Sequence, residues 1–144
     1  MKYHDMPYLA KGVAATMVGQ ICRLNWPVPD LIVPVPLTLS RKMKRGYNQS
    51  HLIAKEMANM FSCPLSNVLI RNRGGYSQAL LRRDQRNRMP SNTFKIKRDA
   101  DLNEKRILLV DDVYTTGSTL RRCAEALCNG YPREIYAMTC CRAF

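Results

Sequence analysis

The chain has 144 residues, a net charge of +12, 46% apolar residues and 24% charged residues. This length suits one domain spanning 1–144, and the composition excludes a disordered or repetitive chain. No apolar run approaches the ~20 residues that cross a bilayer, and the beginning of the chain is typical of an amphipathic helix rather than a secretory signal, so we expect a cytoplasmic protein without membrane insertion.

The positive charge is concentrated in the middle of the chain. Between Arg41 and Arg98 there are fourteen Lys or Arg residues and two acids, whereas bases and acids balance in the remainder. Such a concentrated field attracts phosphate-rich partners, either a polyphosphorylated small molecule or a nucleic acid. A solvated basic face without a partner is the alternative.

The first half of the chain predicts two helices around one strand. Apolar residues at helical spacing indicate a helix that starts at Met6 and ends before Pro27. A short buried strand at Leu31–Val35 follows, and Asn48 is a candidate cap for a helix that runs to about Phe61.

The second half predicts further strands and one helix. The predicted strands are Val68–Ile70, Thr93–Ile96, Ile107–Val110 and Ile135–Cys140. A polar, Arg-rich stretch at 71–92 is long for a compact domain, which suggests a functional loop or lid. A helix follows the loop after Val110, and we expect Gly130 to end it in a left-handed conformation. Strands that alternate with helices and are apolar on both faces indicate an α/β fold with a mostly parallel, covered sheet.

Six cysteines are present, and no two of them have the two-residue spacing that zinc knuckles use. We therefore expect small buried hydrophobic residues in a reducing cytosol rather than a metal cluster. The two histidines, His4 and His51, have no partner spacing, and we assign neither a role.

The segment ILLVDDVYTTGSTL, residues 107–120, combines the most apolar strand with two acids and a loop of small residues. In open α/β sheets, ligands bind beyond the carboxyl ends of strands, where the chain enters the next helix. The start of a helix offers unpaired amides and a partial positive charge, which can hold a phosphate without a lysine. The sequence has neither the Gly-Lys-Ser/Thr loop of ATPases nor G-x-G-x-x-G, so both of those assignments fail.

Two adjacent carboxylates at a strand end repel each other unless hydroxyl donors or a cation lie opposite them. A ribose diol meets that need, so Asp111 and Asp112 are candidate ribose ligands beside a phosphate-binding loop. Together these features fit a ribose 5-phosphate. The alternative is that both acids cap the next helix or pair with nearby arginines.

The segment LLVDDVYTTGST resembles the phosphoribosyl pyrophosphate motif of type I phosphoribosyltransferases, with Tyr114 where an aliphatic residue is more usual. The stretches PDLIVPVPLTLSRKMKRGYNQSHLIAKEMA and SQALLRRDQRNRMPSNTFKI are similar to those of the ComF competence-associated family, and the resemblance covers nearly the whole chain. Members of that family usually begin with a four-cysteine zinc-binding module, and this sequence starts after the point where that module would end. Met1 is then an internal methionine of a longer product, a shortened start or an artificial boundary.

The resemblance implies a type I phosphoribosyltransferase-like fold with a flexible loop over the site, and it implies roles for individual residues. Asp111 and Asp112 would be catalytic and contact the ribose. The 5-phosphate would be bound by Thr115, Thr116, Gly117, Ser118 and Thr119. Arg41 and Arg45 would neutralise pyrophosphate, unless they are solvated charges on a turn. Gln78, Arg82 and Arg83 would lie on the flexible loop, where ordinary loop solvation is equally plausible.

The implied reaction transfers phosphoribosyl from phosphoribosyl pyrophosphate to an acceptor that the sequence does not identify. Mg²⁺ would accompany the pyrophosphate, and the chain itself supplies no metal site. Fixed charges stabilise the departing polyanion, so the reaction requires no nucleophilic side chain. The rival hypothesis is a non-catalytic competence protein that binds single-stranded DNA, in which competence proteins are further partners. Aromatic residues are sparse in the basic segment, so recognition of DNA by base stacking is only weakly indicated.

Overall fold

The computed structural model describes residues 6–37, 43–44, 46–72 and 91–143. Three helices and five strands lie in this part of the chain. In chain order they are α1 (Met6–Arg23), β1 (Leu31–Pro34), α2 (Gln49–Phe61), β2 (Leu69–Arg71), β3 (Phe94–Ile96), β4 (Arg106–Tyr114), α3 (Ser118–Cys128) and β5 (Glu134–Arg142). Every helix and strand predicted from the sequence is present, but β4 continues four residues past its predicted end at Val110, so Asp111 and Asp112 lie within the strand and not after it.

The main sheet contains three parallel strands in the order β1-β4-β5. Its register pairs Leu31 with Ile107 and Ile107 with Ile135. Beyond β1, the amide of Ile32 donates to the Pro64 carbonyl at 3.0 Å, so the chain after α2 extends this sheet by a short parallel bridge. The predicted parallel α/β sheet is therefore confirmed, whereas β2 and β3 form a separate antiparallel pair.

Side chains of β4 alternate between two hydrophobic cores. Ile107 and Leu109 pack against α3, β2 and β3, whereas Leu108 and Val110 pack against α1 and α2. All four side chains are almost completely buried, and each contributes roughly 1.5–3 kcal/mol by leaving water. A strand that is covered on both sides must be apolar at every position, which explains the continuous ILLV run.

Helix α2 begins as its sequence predicts. The side chain of Asn48 accepts a hydrogen bond from the Ser50 amide at 3.1 Å and donates another to the Val35 carbonyl at 3.1 Å. The first bond caps the helix, and the second attaches its start to the residue that follows β1. Helix α2 therefore begins beside the carboxyl end of the sheet.

The end of α3 differs from the expectation. The left-handed residue is Tyr131, with φ 56°, and not Gly130. A Cβ atom at Gly130 would lie 2.8 Å from side-chain atoms of Leu102, which is itself buried. Glycine is thus needed here because the chain passes close to Leu102 and not because of its backbone conformation.

The cysteine expectation is only partly met. All six cysteines carry free thiols, but only Cys123 is fully buried. Cys22, Cys128, Cys140 and Cys141 are exposed and Cys63 is intermediate. In the described part of the chain, no helix combines the length and hydropathy needed to cross a membrane.

Candidate functional site

Asp111 is the first polar residue after the buried run of β4. Its side chain is 8% exposed, and one carboxylate oxygen accepts two hydrogen bonds. One comes from the Ser50 hydroxyl at 2.9 Å, and the other comes from the Asp112 amide at 2.9 Å. Ser50 is itself 1% exposed, so the bond between α2 and β4 lies out of water.

Burial raises the pKa of Asp111 to about 6 from an ordinary value of 3.8. The two hydrogen bonds act in the opposite direction because they favour the carboxylate, while the neighbouring Asp112 adds a smaller upward effect. The carboxyl group is therefore poised to change protonation near neutral pH. A cation or a pair of hydroxyl donors placed beside it would favour the ionised form.

Asp112 lies in a different environment from Asp111, although the two residues are adjacent. It is half-buried, and its carboxylate accepts a hydrogen bond from the Val113 amide at 2.9 Å. Its own carbonyl accepts a hydrogen bond from the Cys140 thiol at 2.8 Å. The predicted pair of acids is thus one buried carboxylate anchored to α2 and one more accessible carboxylate.

The loop that joins β4 to α3 contains only Thr115, Thr116 and Gly117. Both threonines are exposed, and the hydroxyls of Thr116 and Ser118 lie 2.9 Å apart. Gly117 is the N-cap residue of α3, with φ 80°, and no side chain caps this helix. The Ser118 amide donates to the Thr116 hydroxyl at 3.4 Å, a long bond that an anion could replace. The first amides of a helix have no acceptor within the helix, so those at Ser118 and Thr119 are placed to bind an anion.

Tyr114 supports this loop from the last position of β4. A Cβ atom at Gly117 would lie 2.8 Å from the Tyr114 hydroxyl oxygen, so the ring packs directly against the glycine. The Arg142 guanidinium lies over the ring, 5.7 Å from its centroid. The bulky residue at this position therefore fills space next to the loop, and it makes glycine necessary at 117.

The structure brings together the predicted ribose and 5-phosphate residues, Asp111, Asp112 and Thr115–Thr119, at the carboxyl end of β4. The other predicted site residues, Arg41, Arg45, Gln78, Arg82 and Arg83, lie outside the described residues, as does most of the predicted loop at 71–92. No group of three or more His, Cys, Asp or Glu side chains that could hold a metal ion occurs in the described ranges.

Sequence reasoning missed Ser50. A serine two residues after a predicted N-cap is typical of the first turn of a helix and gave no indication of a ligand-site role. The missing information was the distance between helix and strand, since Ser50 and Asp111 are 61 positions apart. His51, to which we assigned no role, lies with Nδ1 3.1 Å from the Asn67 side-chain oxygen.

Comparison with known proteins agrees with the fold and with the motif. The model of the phosphoribosyl transferase domain family matches residues 47–143. Among solved structures, a glutamine phosphoribosylpyrophosphate (PRPP) amidotransferase from B. subtilis is 24% identical with a TM-score of 0.58, and the match covers 94% of this chain and 26% of that one. A purine phosphoribosyltransferase from Pyrococcus horikoshii is 19% identical with a TM-score of 0.57 over 89% of this chain and 68% of that one.

Curated relatives narrow the similarity further. Competence protein F of Haemophilus influenzae is 36% identical over 104 residues, which are 69% of this chain and 44% of that protein. DNA utilization protein YhgH of Escherichia coli is 32% identical over 80% of this chain and 50% of its own length. Competence protein ComFC of Bacillus subtilis is 31% identical over 67% of this chain and 38% of its own length. The chain thus spans about half the length of the curated relatives it matches.

The parallel sheet with helices packed on both faces has the type I phosphoribosyltransferase fold. The chain belongs to the phosphoribosyl transferase domain family. Its curated relatives include competence proteins F and ComFC as well as DNA utilization proteins YhgH, which confirms the resemblance to the ComF family.

Proposed function

We propose that this chain binds phosphoribosyl pyrophosphate together with Mg²⁺ and transfers the phosphoribosyl group to an acceptor. One observation carries the proposal. The N-cap residue of α3 is Gly117, which has no side chain to cap the helix, and α3 begins six residues after Asp112, near the carboxyl end of β4. By contrast, the start of α2 is capped by Asn48. An uncapped helix start beside paired carboxylates is suited to a ligand that is anionic at one end and a diol at the other.

In this proposal the 5-phosphate lies at the start of α3. The amides of Ser118 and Thr119 would donate to its oxygens, and the hydroxyls of Thr115, Thr116 and Ser118 would add further donors. Gly117 supplies the left-handed backbone conformation, with φ 80°, from which α3 begins. The proximity of the exposed threonine hydroxyls to the first amides of α3 supports this arrangement.

The ribose hydroxyls would be held by Asp111 and Asp112. Each carboxylate can accept hydrogen bonds from the diol, and their shared negative charge would balance the oxocarbenium character that develops on the sugar. Mg²⁺ would arrive bound to the pyrophosphate, and its chemistry is to neutralise the departing polyanion. Burial disfavours the charged form of Asp111, as its raised pKa indicates. Hydrogen bonds from the ligand would offset this cost, which supports a role for the carboxylate in binding.

The remaining roles rest on the family resemblance. Arg41 and Arg45 would bind pyrophosphate, and Gln78, Arg82 and Arg83 would close over the sugar and exclude water, which otherwise hydrolyses the activated ribose. We further propose that the protein acts in the cytoplasm, where free thiols persist in a reducing environment.

Isothermal titration calorimetry of the chain with phosphoribosyl pyrophosphate and Mg²⁺ tests the proposal. Wild type should give saturable heat, and a variant with Asp111→Ala plus Asp112→Ala should give none. Asp101→Asn is the matched control, because Asp101 is exposed and pairs with Lys105 before β4 begins. Absence of heat with wild type, or equal heat with the double variant, would refute the assignment.

A second candidate function is binding of single-stranded DNA without catalysis. Lys95, Lys97 and Arg98 are exposed around β3, and the relatives include proteins named for DNA utilization and competence. Such a basic surface attracts a phosphate backbone. A salt series on single-stranded DNA should show a steep loss of affinity, and no measurable binding at low salt would remove this candidate. Competition between DNA and phosphoribosyl pyrophosphate would show that the two share one surface.

A further inference from the structure

Two adjacent cysteines lie near the carboxyl end of the edge strand β5. The thiol of Cys140 lies 2.8 Å from the carbonyl oxygen of Asp112, and the thiol of Cys141 lies 3.5 Å from the same oxygen. Both residues are exposed. Consecutive side chains of a regular strand point to opposite faces, so two neighbouring thiols should not normally reach one atom.

The sheet is irregular at this point. The register of β4 and β5 pairs Asp111 with Thr139 and Val113 with Cys141, but it leaves out Asp112 and Cys140. This break lets both sulfurs turn toward the Asp112 carbonyl. Because each sulfur lies within 3.5 Å of one oxygen atom, the two sulfurs are close enough for a modest rotation about each Cα–Cβ bond to bring them onto one ligand.

The Cys140 thiol is protonated in the free protein. Partial burial raises the pKa of Cys140 to about 11, and Cys141 adds to this effect. A ligand must therefore displace protons, which favours soft centres that form strong bonds to sulfur. Within the described residues no third His, Cys, Asp or Glu completes a metal cluster, so a tetrahedral zinc site is not favoured. The arrangement suits a metal or metalloid centre for which two sulfur ligands from the protein are sufficient.

We propose that Cys140 and Cys141 form a vicinal dithiol site for soft, thiophilic metal ions and trivalent metalloids. On binding, two S–H bonds break and two bonds from sulfur to the soft centre form. With a divalent ion, two protons pass to the solvent; with an arsenic(III) oxide, they leave as water with the oxide oxygen. No electron is transferred in either case.

Loading this site affects Asp112, and this consequence rests on the proposed function. The Asp112 carbonyl loses both thiol donors when the sulfurs bind a soft centre, so the backbone that carries the second acid loses two contacts with β5, although Asp111 and Val113 remain paired with that strand. The loaded protein should then bind phosphoribosyl pyrophosphate several-fold more weakly. Loading of the dithiol would therefore inhibit binding at the sugar site.

Phenylarsine oxide tests the site without any sugar. Intact-mass spectrometry of the wild-type chain should show the added mass of one phenylarsine oxide less one water. The tryptic peptide Glu134–Arg142 contains Cys140 and Cys141 and no other cysteine, so peptide mapping should place the adduct there. An adduct on a different peptide, or no bridging adduct, would overturn the proposal, and neither result depends on a variant.

Variants provide the matched controls. Cys140→Ser and Cys141→Ser should each abolish the bridging adduct, because both sulfurs are required. Cys22→Ser and Cys128→Ser remove exposed thiols elsewhere and should retain it. Retention of the adduct in either Cys140→Ser or Cys141→Ser would contradict a two-sulfur site. Calorimetry with phosphoribosyl pyrophosphate, on wild type that carries the phenylarsine oxide adduct, tests the inhibition separately. An unchanged affinity would exclude coupling between the dithiol and the sugar site.

Discussion

The hydroxyl of Ser50 donates a hydrogen bond to the Asp111 carboxylate at 2.9 Å, and both side chains are buried. This contact joins the start of α2 to the end of β4, across 61 positions of sequence. It orients the Asp111 side chain. The Asp112 amide, on β4, donates to the same carboxylate oxygen. The site is therefore held by two elements that the sequence motif does not connect.

Replacement of Ser50 by alanine should destabilise the protein by ~1–3 kcal/mol at neutral pH, because a buried carboxylate then loses one of its two donors. The loss should be smaller at pH 4, where Asp111 is protonated and needs fewer donors. Chemical denaturation at the two pH values measures this. Thr16→Ala, which removes an exposed hydroxyl bonded to Gly12, should change stability by less than about 0.5 kcal/mol. Equal effects of the two substitutions would show that the buried bond is unimportant.

The stability of the protein should fall as pH rises from about 4 to about 6. Asp111 has a pKa of about 6 in the folded protein against an ordinary value of 3.8, so the folded state binds more protons in this window. The free energy of unfolding therefore decreases, by about 3 kcal/mol for a shift of two units.

Asp111→Asn isolates this contribution. The variant should be more stable than wild type at pH 7, and the difference should disappear toward pH 4. Asp101→Asn, at an exposed ion pair, should show no such pH-dependent gain. If Asp111→Asn were less stable than wild type at every pH, Asp111 would not carry the burial penalty described.

The affinity for phosphoribosyl pyrophosphate should rise with pH over the same window. The diol and the Mg²⁺ favour the ionised form of Asp111, so the ligand binds best when the proton has left. Calorimetry in buffers of different ionisation enthalpy should detect proton release on binding near pH 6. Binding that is independent of pH between 5 and 7 would separate Asp111 from the ligand.

Gly117→Ala should destabilise the protein and weaken phosphate binding. Its left-handed conformation costs a residue with a Cβ roughly 1–2 kcal/mol, and the new methyl group would meet the Tyr114 hydroxyl. Adding Tyr114→Leu should recover part of the stability by removing that contact. Thermal unfolding of the three proteins measures the effect.

Gly19→Ala is the matched control for this substitution. Gly19 lies inside α1, and nothing lies within 4 Å of a Cβ placed there. The substitution should therefore stabilise the protein by about 0.5–1 kcal/mol through higher helix propensity. If Gly117→Ala behaved as Gly19→Ala does, the left-handed loop would have no energetic importance.

The sequence was informative where structure depends on neighbouring residues. The continuous ILLV run predicted a strand buried on both sides, and Asn48 predicted the start of α2; both are confirmed. Local spacing also placed the acids and the Thr115–Thr119 loop together, because the loop directly follows the strand.

Features that depend on distant parts of the chain were not predictable. Gly130 was expected to be left-handed, but glycine is required at this position because a side chain would collide with Leu102. No local sequence pattern connects the two residues. The cysteines of β5 were expected to be buried, yet in the described part of the chain β5 has one strand neighbour and lies at the sheet edge. The bond between Ser50 and Asp111 likewise arises only when α2 packs on the sheet.

The most direct test is a titration with ribose 5-phosphate followed by amide ¹H–¹⁵N nuclear magnetic resonance. We predict that the largest shifts occur at Gly117, Ser118 and Thr119, with smaller shifts at Asp111 and Asp112. The amides of Gly12 and Gly19 in α1 serve as the internal control. Shifts confined to the basic residues around β3, with the start of α3 unchanged, would contradict the account.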